Sequence, residues 1–252
     1  MALQIAGTTA LVTGANRGIG RALVEALLAR GAARVYATAR RPEALGDLVA
    51  RYGERVVPLR LDVTRPSEVR AVVAQAGDVH LLINNAGIVA KFGGELTDAD
   101  WITAARDEFE VNVLGALSVT QAFAPALTGR AGAAVVNISS VAGLVAFPFL
   151  ASYSASKAAL HSLTQATRAL LAPNGVHVVG VYPGPIDTDL AKPFEMVKAA
   201  PEAAANAILD GLEEGREEIF PDPMAREVGE LFLRDPKALE RQFAATATPT
   251  KA

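Results

Sequence analysis

The sequence predicts an α/β fold: one doubly wound domain over residues 1–252, with a central parallel sheet of about seven strands and helices on both faces. Three observations carry this reading. Short β-branched runs alternate with longer Ala- and Leu-rich amphipathic runs almost from end to end. The short runs are nearly continuously apolar, as strands covered on both faces must be. The first of them leads straight into a glycine-rich turn, "TGANRGIG" (13–20), that opens a helical stretch.

Taken in order, strands are expected at "TALVT" (9–13), "RVYAT" (34–38), "RVVPLRL" (55–61), "VHLLIN" (79–84), "AAVVNIS" (133–139) and "VHVVGVY" (176–182). A shorter run, "EEIF" (217–220), closes the set. Helical periodicity falls near 18–30, 66–76, 99–128, 152–171 and 201–214. Prolines and mixed polarity break the alternation at 185–200, which reads as a loop or short helix over a site, the expected substrate loop. Residues 221–252 form a C-terminal extension whose tail, "AATATPTKA", is expected to fray. No internal repeat appears at solenoid spacing.

Composition narrows the function. Hydrophobic residues make up 51% of the 252 and charged residues 20%, the balance of an ordered globule. A net charge of −3 provides no strong field for nucleic acid or an anionic membrane, and neither partner is expected. The absence of cysteine excludes disulfides, iron–sulfur clusters and cysteine-ligated zinc. Only His80, His161 and His177 remain as histidines, too widely spaced to suggest a metal site, so no metal is expected. The N-terminus lacks a basic leader, and the longest apolar stretches, such as 141–151, are too short to span a bilayer. A soluble cytoplasmic protein is the expectation.

The glycine turn places Gly14, Gly18 and Gly20 between the first strand and the first helix. Small residues there let the backbone approach a pyrophosphate, and the free N–H groups of the helix start face its charge. The spacing is G-x-x-x-G-x-G, not G-x-G-x-x-G, and the plain alternative is a tight connection. At the end of the second strand an acid would bond the ribose hydroxyls of NAD; here Ala39 is followed by Arg40 and Arg41. Arg17 adds a further guanidinium, a group that pairs well with phosphate, so NADP(H) is the expected cofactor. Asp62 in "LDVT" either accepts from the adenine amino group or starts a helix as its cap.

"NNAG" (84–87), Asn112 in "VNVLG", "NISS" (137–140), "YSASK" (153–157) and "YPGPIDT" (182–188) follow in order behind the glycine turn. With that turn, the chain resembles a classical short-chain dehydrogenase/reductase up to about residue 220, which implies a Rossmann-type domain. The resemblance implies Tyr153 as general acid/base, Lys157 as its electrostatic helper and ligand of the nicotinamide ribose, and Ser140, 13 positions before the tyrosine, as holder of the substrate oxygen. Asn112 would sit in a helix distorted to bind a water that relays protons from Lys157; its alternative is an internal helix Asn bonded to backbone. Ser139 is expected to pack or cap. The implied cofactor-binding set is Gly14, Asn16, Arg17, Gly18, Ile19, Gly20, Arg40, Asp62, Val63, Asn85, Ala86, Gly87, Tyr153, Lys157, Pro183, Gly184, Ile186 and Thr188.

Residues four apart share a helix face, so the Lys157 ammonium would sit beside the Tyr153 phenol. A phenol ionises near pH ~10, and a close cation is expected to lower it by ~2–3 units, about 3–4 kcal/mol, with oxidised nicotinamide adding its charge. The implied reaction is hydride transfer between nicotinamide and a carbonyl or secondary alcohol carbon, coupled to proton transfer through Tyr153. Val141, Leu144, Phe147, Phe149, Leu190, Phe194 and Met196 suggest a hydrophobic ketone or aldehyde, or else simple core and subunit contacts. A homodimer or homotetramer through 99–128 and 152–171 is implied. Two rival readings stand beside the carbonyl reductase: a 3-oxoacyl-[acyl-carrier-protein] reductase, and a nucleotide-sensing binding protein without turnover.

Overall fold

β1 (Thr9–Val12) is buried along its whole length, because both faces of the sheet it centres are covered. The computed structural model describes residues 3–193 and 195–245 and has seven parallel strands: β2 (Arg34–Ala39), β3 (Val56–Arg60), β4 (Leu81–Asn84), β5 (Ala134–Ile138), β6 (His177–Val181) and β7 (Glu218–Ile219) join β1 in the order β3-β2-β1-β4-β5-β6-β7. β1 pairs with β2 from Thr9↔Arg34 to Val12↔Ala37, and with β4 from Ala10↔Leu81 to Val12↔Ile83. Strand order therefore reverses between β1 and β4, and the carboxyl ends of these strands flank a crevice there.

One face is covered by α1 (Gly18–Ala29), α2 (Gly46–Tyr52) and α7 (Pro201–Glu213), whose Leu23, Leu27, Ile208 and Leu212 pack on Val12 and Ile83. The other face carries α3 (Pro66–Gln75), α4 (Trp101–Phe109), α5 (Ala116–Leu127) and α6 (Ala151–Leu171), with Phe123 and Leu127 against Leu11, Leu82 and Val135. α4 and α5 are not the uniform helix that periodicity over 99–128 suggests: residues Glu110–Gly115 between them coil more widely, in a π-helical turn that contains Asn112.

Beyond β7, α8 (Pro223–Arg234) and α9 (Pro236–Ala244) fold back over the carboxyl end of the sheet. Neither helix was anticipated from the sequence, nor was α2, which is too short to show a period. Most of the tail expected to fray, 246–252, lies outside the described residues, as does Phe194. No helix among the described residues is long and apolar enough to cross a membrane.

Candidate active site

The glycine turn is built against the turn that follows β4. Thr13 Oγ1 accepts from the backbone N–H groups of Asn85 and Ala86, each at 2.9 Å. Asn85 Nδ2 donates in return to the carbonyls of Thr13 (2.8 Å) and Gly14 (3.1 Å), so its amide is spent on holding the turn. Gly14 has φ +64°, and a Cβ there would stand 3.1 Å from Ala86 Cα. At Gly20 a Cβ would run into the Gly14 carbonyl. Side chains at either position would push α1 off the strand. No side chain caps α1, which leaves its first N–H groups facing the cleft.

At the end of β2, Ala39 is buried and Arg40 stands exposed on the lip of the same cleft, its charge reaching the Asp62 carboxyl. Asp62 lines the cleft too, and its Oδ1 accepts from the Thr64 hydroxyl (2.8 Å) and backbone N–H (3.1 Å). Burial works against that carboxylate, but the two Thr64 bonds and nearby arginines hold it below the ordinary range. Arg17 reaches across the cleft to Asp189, 3.2 Å away on the opposite lip; both side chains are about half exposed or more. A pair so exposed contributes at most ~1 kcal/mol, little enough for a phosphate to displace.

The two serines after β5 separate cleanly. Ser139 Oγ is buried and donates to the Lys157 carbonyl (3.0 Å), tying β5 to α6. Ser140 Oγ lines the cleft, accepts from Ala142 N–H (3.1 Å), donates to the Pro183 carbonyl (3.3 Å) and lies against the Tyr153 hydroxyl. Tyr153 and Lys157, one turn apart on α6, are both buried. Lys157 Nζ lies 5.7 Å from the Tyr153 ring centre and donates to the Ile138 carbonyl at 2.8 Å.

The expected depression of the Tyr153 phenol is overturned in the cofactor-free chain. Burial pushes it up to about 12; contact with Ser140 opposes the rise, and the Glu108 charge adds to it. The missing depression has a physical cause: burial also lowers Lys157 to about 8, so both groups lose hydration together, and the ammonium is turned to a carbonyl and not to the phenol.

Asn112 is the one catalytic or cofactor candidate that stands behind the cleft wall. Its Oδ1 accepts from Ile88 N–H (2.8 Å), and its Nδ2 donates to the Ile88 carbonyl and to Ser156 Oγ, both at 3.0 Å. Gly87 separates it from Lys157: a Cβ there would lie 3.2 Å from Asn112 Oδ1 and 3.5 Å from Lys157 Nζ. The remaining cofactor candidates all line the cleft, among them Asn16, Ile19, Val63, Pro183, Gly184, Ile186 and Thr188.

Of the apolar candidates, Val141, Phe147, Phe149, Leu190 and Met196 line this cavity of about 530 Å³, while Leu144 packs behind it. Sequence reasoning missed Val89, Phe92, Leu150 and Met224. It also missed Asp222, whose Oδ2 accepts from Gly184 N–H (2.7 Å) while Oδ1 caps α8 through Ala225 N–H (2.9 Å). The signal was present: Asp222-Pro223 and Asp235-Pro236 are both cap-then-proline helix starts. The segment 185–200 leaves β6 and enters α7 through a closed neck, with Ile186 bridged to Ala199 and Asp187 N–H bonded to the Ala199 carbonyl at 2.9 Å.

A family model described as short chain dehydrogenase matches residues 8–198. A short chain dehydrogenase from Burkholderia cenocepacia J2315, solved in complex with NADP, superposes with a TM-score of 0.88 at 42% identity, covering 96% of this chain and 99% of that one. A short chain dehydrogenase/reductase from Burkholderia phymatum, in complex with NAD, superposes at 0.80 with 26% identity, over 99% and 98% of the two chains. The 3-oxoacyl-[acyl-carrier-protein] reductase FabG of Salmonella typhimurium is 33% identical over 195 residues, 75% of this chain and 78% of its own length. Among the first curated relatives the chain spans from 62% to 84% of their length.

Proposed function

The chain belongs to the short-chain dehydrogenase family, and on that premise we propose that it is an NADP(H)-dependent carbonyl reductase and secondary alcohol dehydrogenase acting on a hydrophobic ketone or aldehyde. One observation carries the reading: Ser140, Tyr153 and Lys157 meet where a glycine-floored cleft runs into a pocket walled by Val141, Phe147, Phe149 and Met196.

The residues fit a dinucleotide. A Cβ at Gly14 or Gly20 would break the close packing that shapes the cradle, and the uncapped start of α1 offers N–H donors to a pyrophosphate. Ala39 stands where an acid would be and Arg40 follows it, which favours a 2′-phosphate; the NADP complex of the 42%-identical relative supports the same choice. When bound, the nicotinamide supplies the hydride for reduction or takes it in oxidation. Tyr153 delivers the proton that the carbonyl oxygen takes up, and Ser140 donates to that oxygen as its charge develops. Lys157 carries positive charge near the phenol and would hold the nicotinamide ribose. Asn112, its side-chain amide engaged by Ile88 and Ser156, fixes the Ile88 backbone beside that ammonium. With its phenol pushed up to about 12, Tyr153 keeps its proton at neutral pH, the state that reduction requires.

A 3-oxoacyl-[acyl-carrier-protein] reductase is the second reading, favoured by the relationship to FabG. A nucleotide sensor without turnover would leave the Ser140–Tyr153–Lys157 constellation without use. The protein acts in the cytoplasm as a homodimer or homotetramer, a role suited to the exposed Ile102, Leu114 and Leu117 along α4–α5. The test is NADPH oxidation across hydrophobic ketones, aldehydes and acyl thioesters, with Tyr153→Phe as control. Turnover on apolar ketones that falls at least ~10³-fold in the variant, with NADPH affinity kept, is expected; a preference for acyl thioesters selects the second reading, and equal turnover in the variant removes Tyr153 from its role.

A further inference from the structure

Among the described residues, three buried side-chain atoms have no hydrogen-bond partner: Asn84 Oδ1, Glu108 Oε2 and Ser152 Oγ. The last two belong together. α4 and α6 follow parallel neighbouring strands and pack against each other, so they run in the same direction. Asn112 Nδ2 bonds Ser156 Oγ between them. One turn earlier on each helix, on the same faces, stand Glu108 and Ser152. Glu108 is 0% exposed and Ser152 7%.

A carboxylate is a costly group to bury, and Glu108 spends only one oxygen: Oε1 accepts from Ala90 N–H at 2.8 Å. Two orphaned polar atoms on packed neighbouring helices, with Ser152 one residue before Tyr153, are what a buried water needs as partners. We propose that Glu108 is a positioning residue for the proton transfer, the carboxylate end of a buried water site that it shares with Ser152 beside Tyr153.

The consequence is electrostatic. A negative charge next to a phenol disfavours the phenolate, and Glu108 acts on Tyr153 in that direction. The other groups facing Tyr153 are Ser140 from beyond β5 and Lys157 on α6. The C-terminal helices bring apolar Ala225, Val228, Leu239 and Phe243 to the same cluster, and Asp222 is engaged with Gly184 and Ala225. Glu108 is therefore the anion that adds to burial in keeping the proton on Tyr153, against the contact with Ser140. This rests on the proton-transfer role proposed for Tyr153.

Glu108→Gln keeps the shape and the acceptor for Ala90 but removes the charge. In protein carrying ¹³C at the tyrosine Cζ, with Tyr153→Phe to assign the signal, the Tyr153 midpoint is expected to fall by about 0.5–1 pH unit in Glu108→Gln, with and without NADP⁺. The pH profile of kcat/KM for alcohol oxidation is expected to move down by the same amount. A crystal structure of the wild type is expected to hold one water bonded to Glu108 Oε2 and Ser152 Oγ, lost in Ser152→Ala. A midpoint unmoved in folded Glu108→Gln, or a water that persists in Ser152→Ala, overturns the assignment. Should Glu108→Gln not fold, Ser152→Ala decides alone. Wild-type protein inactive on every carbonyl would instead sink the reductase reading, and the ¹³C titration, which needs no turnover, still judges Glu108.

Discussion

Replacing Lys157 by methionine should abolish turnover and at the same time change how stability responds to pH. The lysine is 3% exposed, and burial lowers its ammonium from 10.5 to about 8. Between those values the unfolded chain binds a proton that the native state does not, so stability rises with pH across the window. Below pH 8 both states carry the proton, and the native state holds it at a cost of about 3 kcal/mol, at 1.36 kcal/mol per unit. Integrated from pH 7.5 to 9.5, the wild type should gain about 2 kcal/mol that Lys157→Met does not. Methionine also forfeits the bond to the Ile138 carbonyl, a loss of ~1–3 kcal/mol that offsets much of the relief at neutral pH. That loss does not depend on pH and cancels in the comparison. Tyr153 and Tyr182, both raised by burial, pull the other way only as pH passes 10, and equally in both proteins. Urea unfolding of cofactor-free protein, at one protein concentration and two pH values, reads the difference directly. Equal pH responses, within about 0.5 kcal/mol, would refute the claim that this ammonium sits desolvated at the site.

Ala39→Asp with Arg40→Leu should shift the NADPH/NADH ratio of kcat/KM toward NADH by ~10²-fold or more. The change removes one charge-assisted bond and adds a repulsive carboxylate; an unaltered ratio from steady-state kinetics counts against the phosphate assignment. Asp222→Ala orphans Gly184 N–H and uncaps α8, so denaturant unfolding should show a loss of ~2–4 kcal/mol. NADPH should also bind more weakly, because Gly184 opens the loop to Thr188. Asp222→Asn, with one acceptor left, should recover part of both, and unchanged cofactor affinity in Asp222→Ala would separate the C-terminal helices from the cleft.

Legibility followed how local each signal was. Seven strands and five helical regions could be read because apolar runs and 3.6-residue periods are written in consecutive residues, and the glycine turn because its φ and close contacts admit few residue types. The family's spacing chose Ser140 over Ser139; both border the cleft, and the Ser139 hydroxyl is spent on the Lys157 carbonyl. The π-helical turn around Asn112 was not legible in the hydrophobic pattern, which a change of hydrogen-bond register leaves nearly intact; only the family resemblance implied a distorted helix there. α8 and α9 went unread because their amphipathic faces have meaning only against Val141, Phe147 and Tyr153, some 80 residues earlier.

The sequence by itself determined the parallel α/β architecture, the family and which side chains meet in the cleft, because these depend on residue identity at short or regular spacing. Tertiary structure alone decided the acidity of Tyr153 and Lys157, the roof that Asp222 ties over the pocket, and the burial of Glu108. Desolvation and charge proximity belong to three-dimensional neighbours, and no pattern along a chain states how far a phenol or a carboxylate will lie from water.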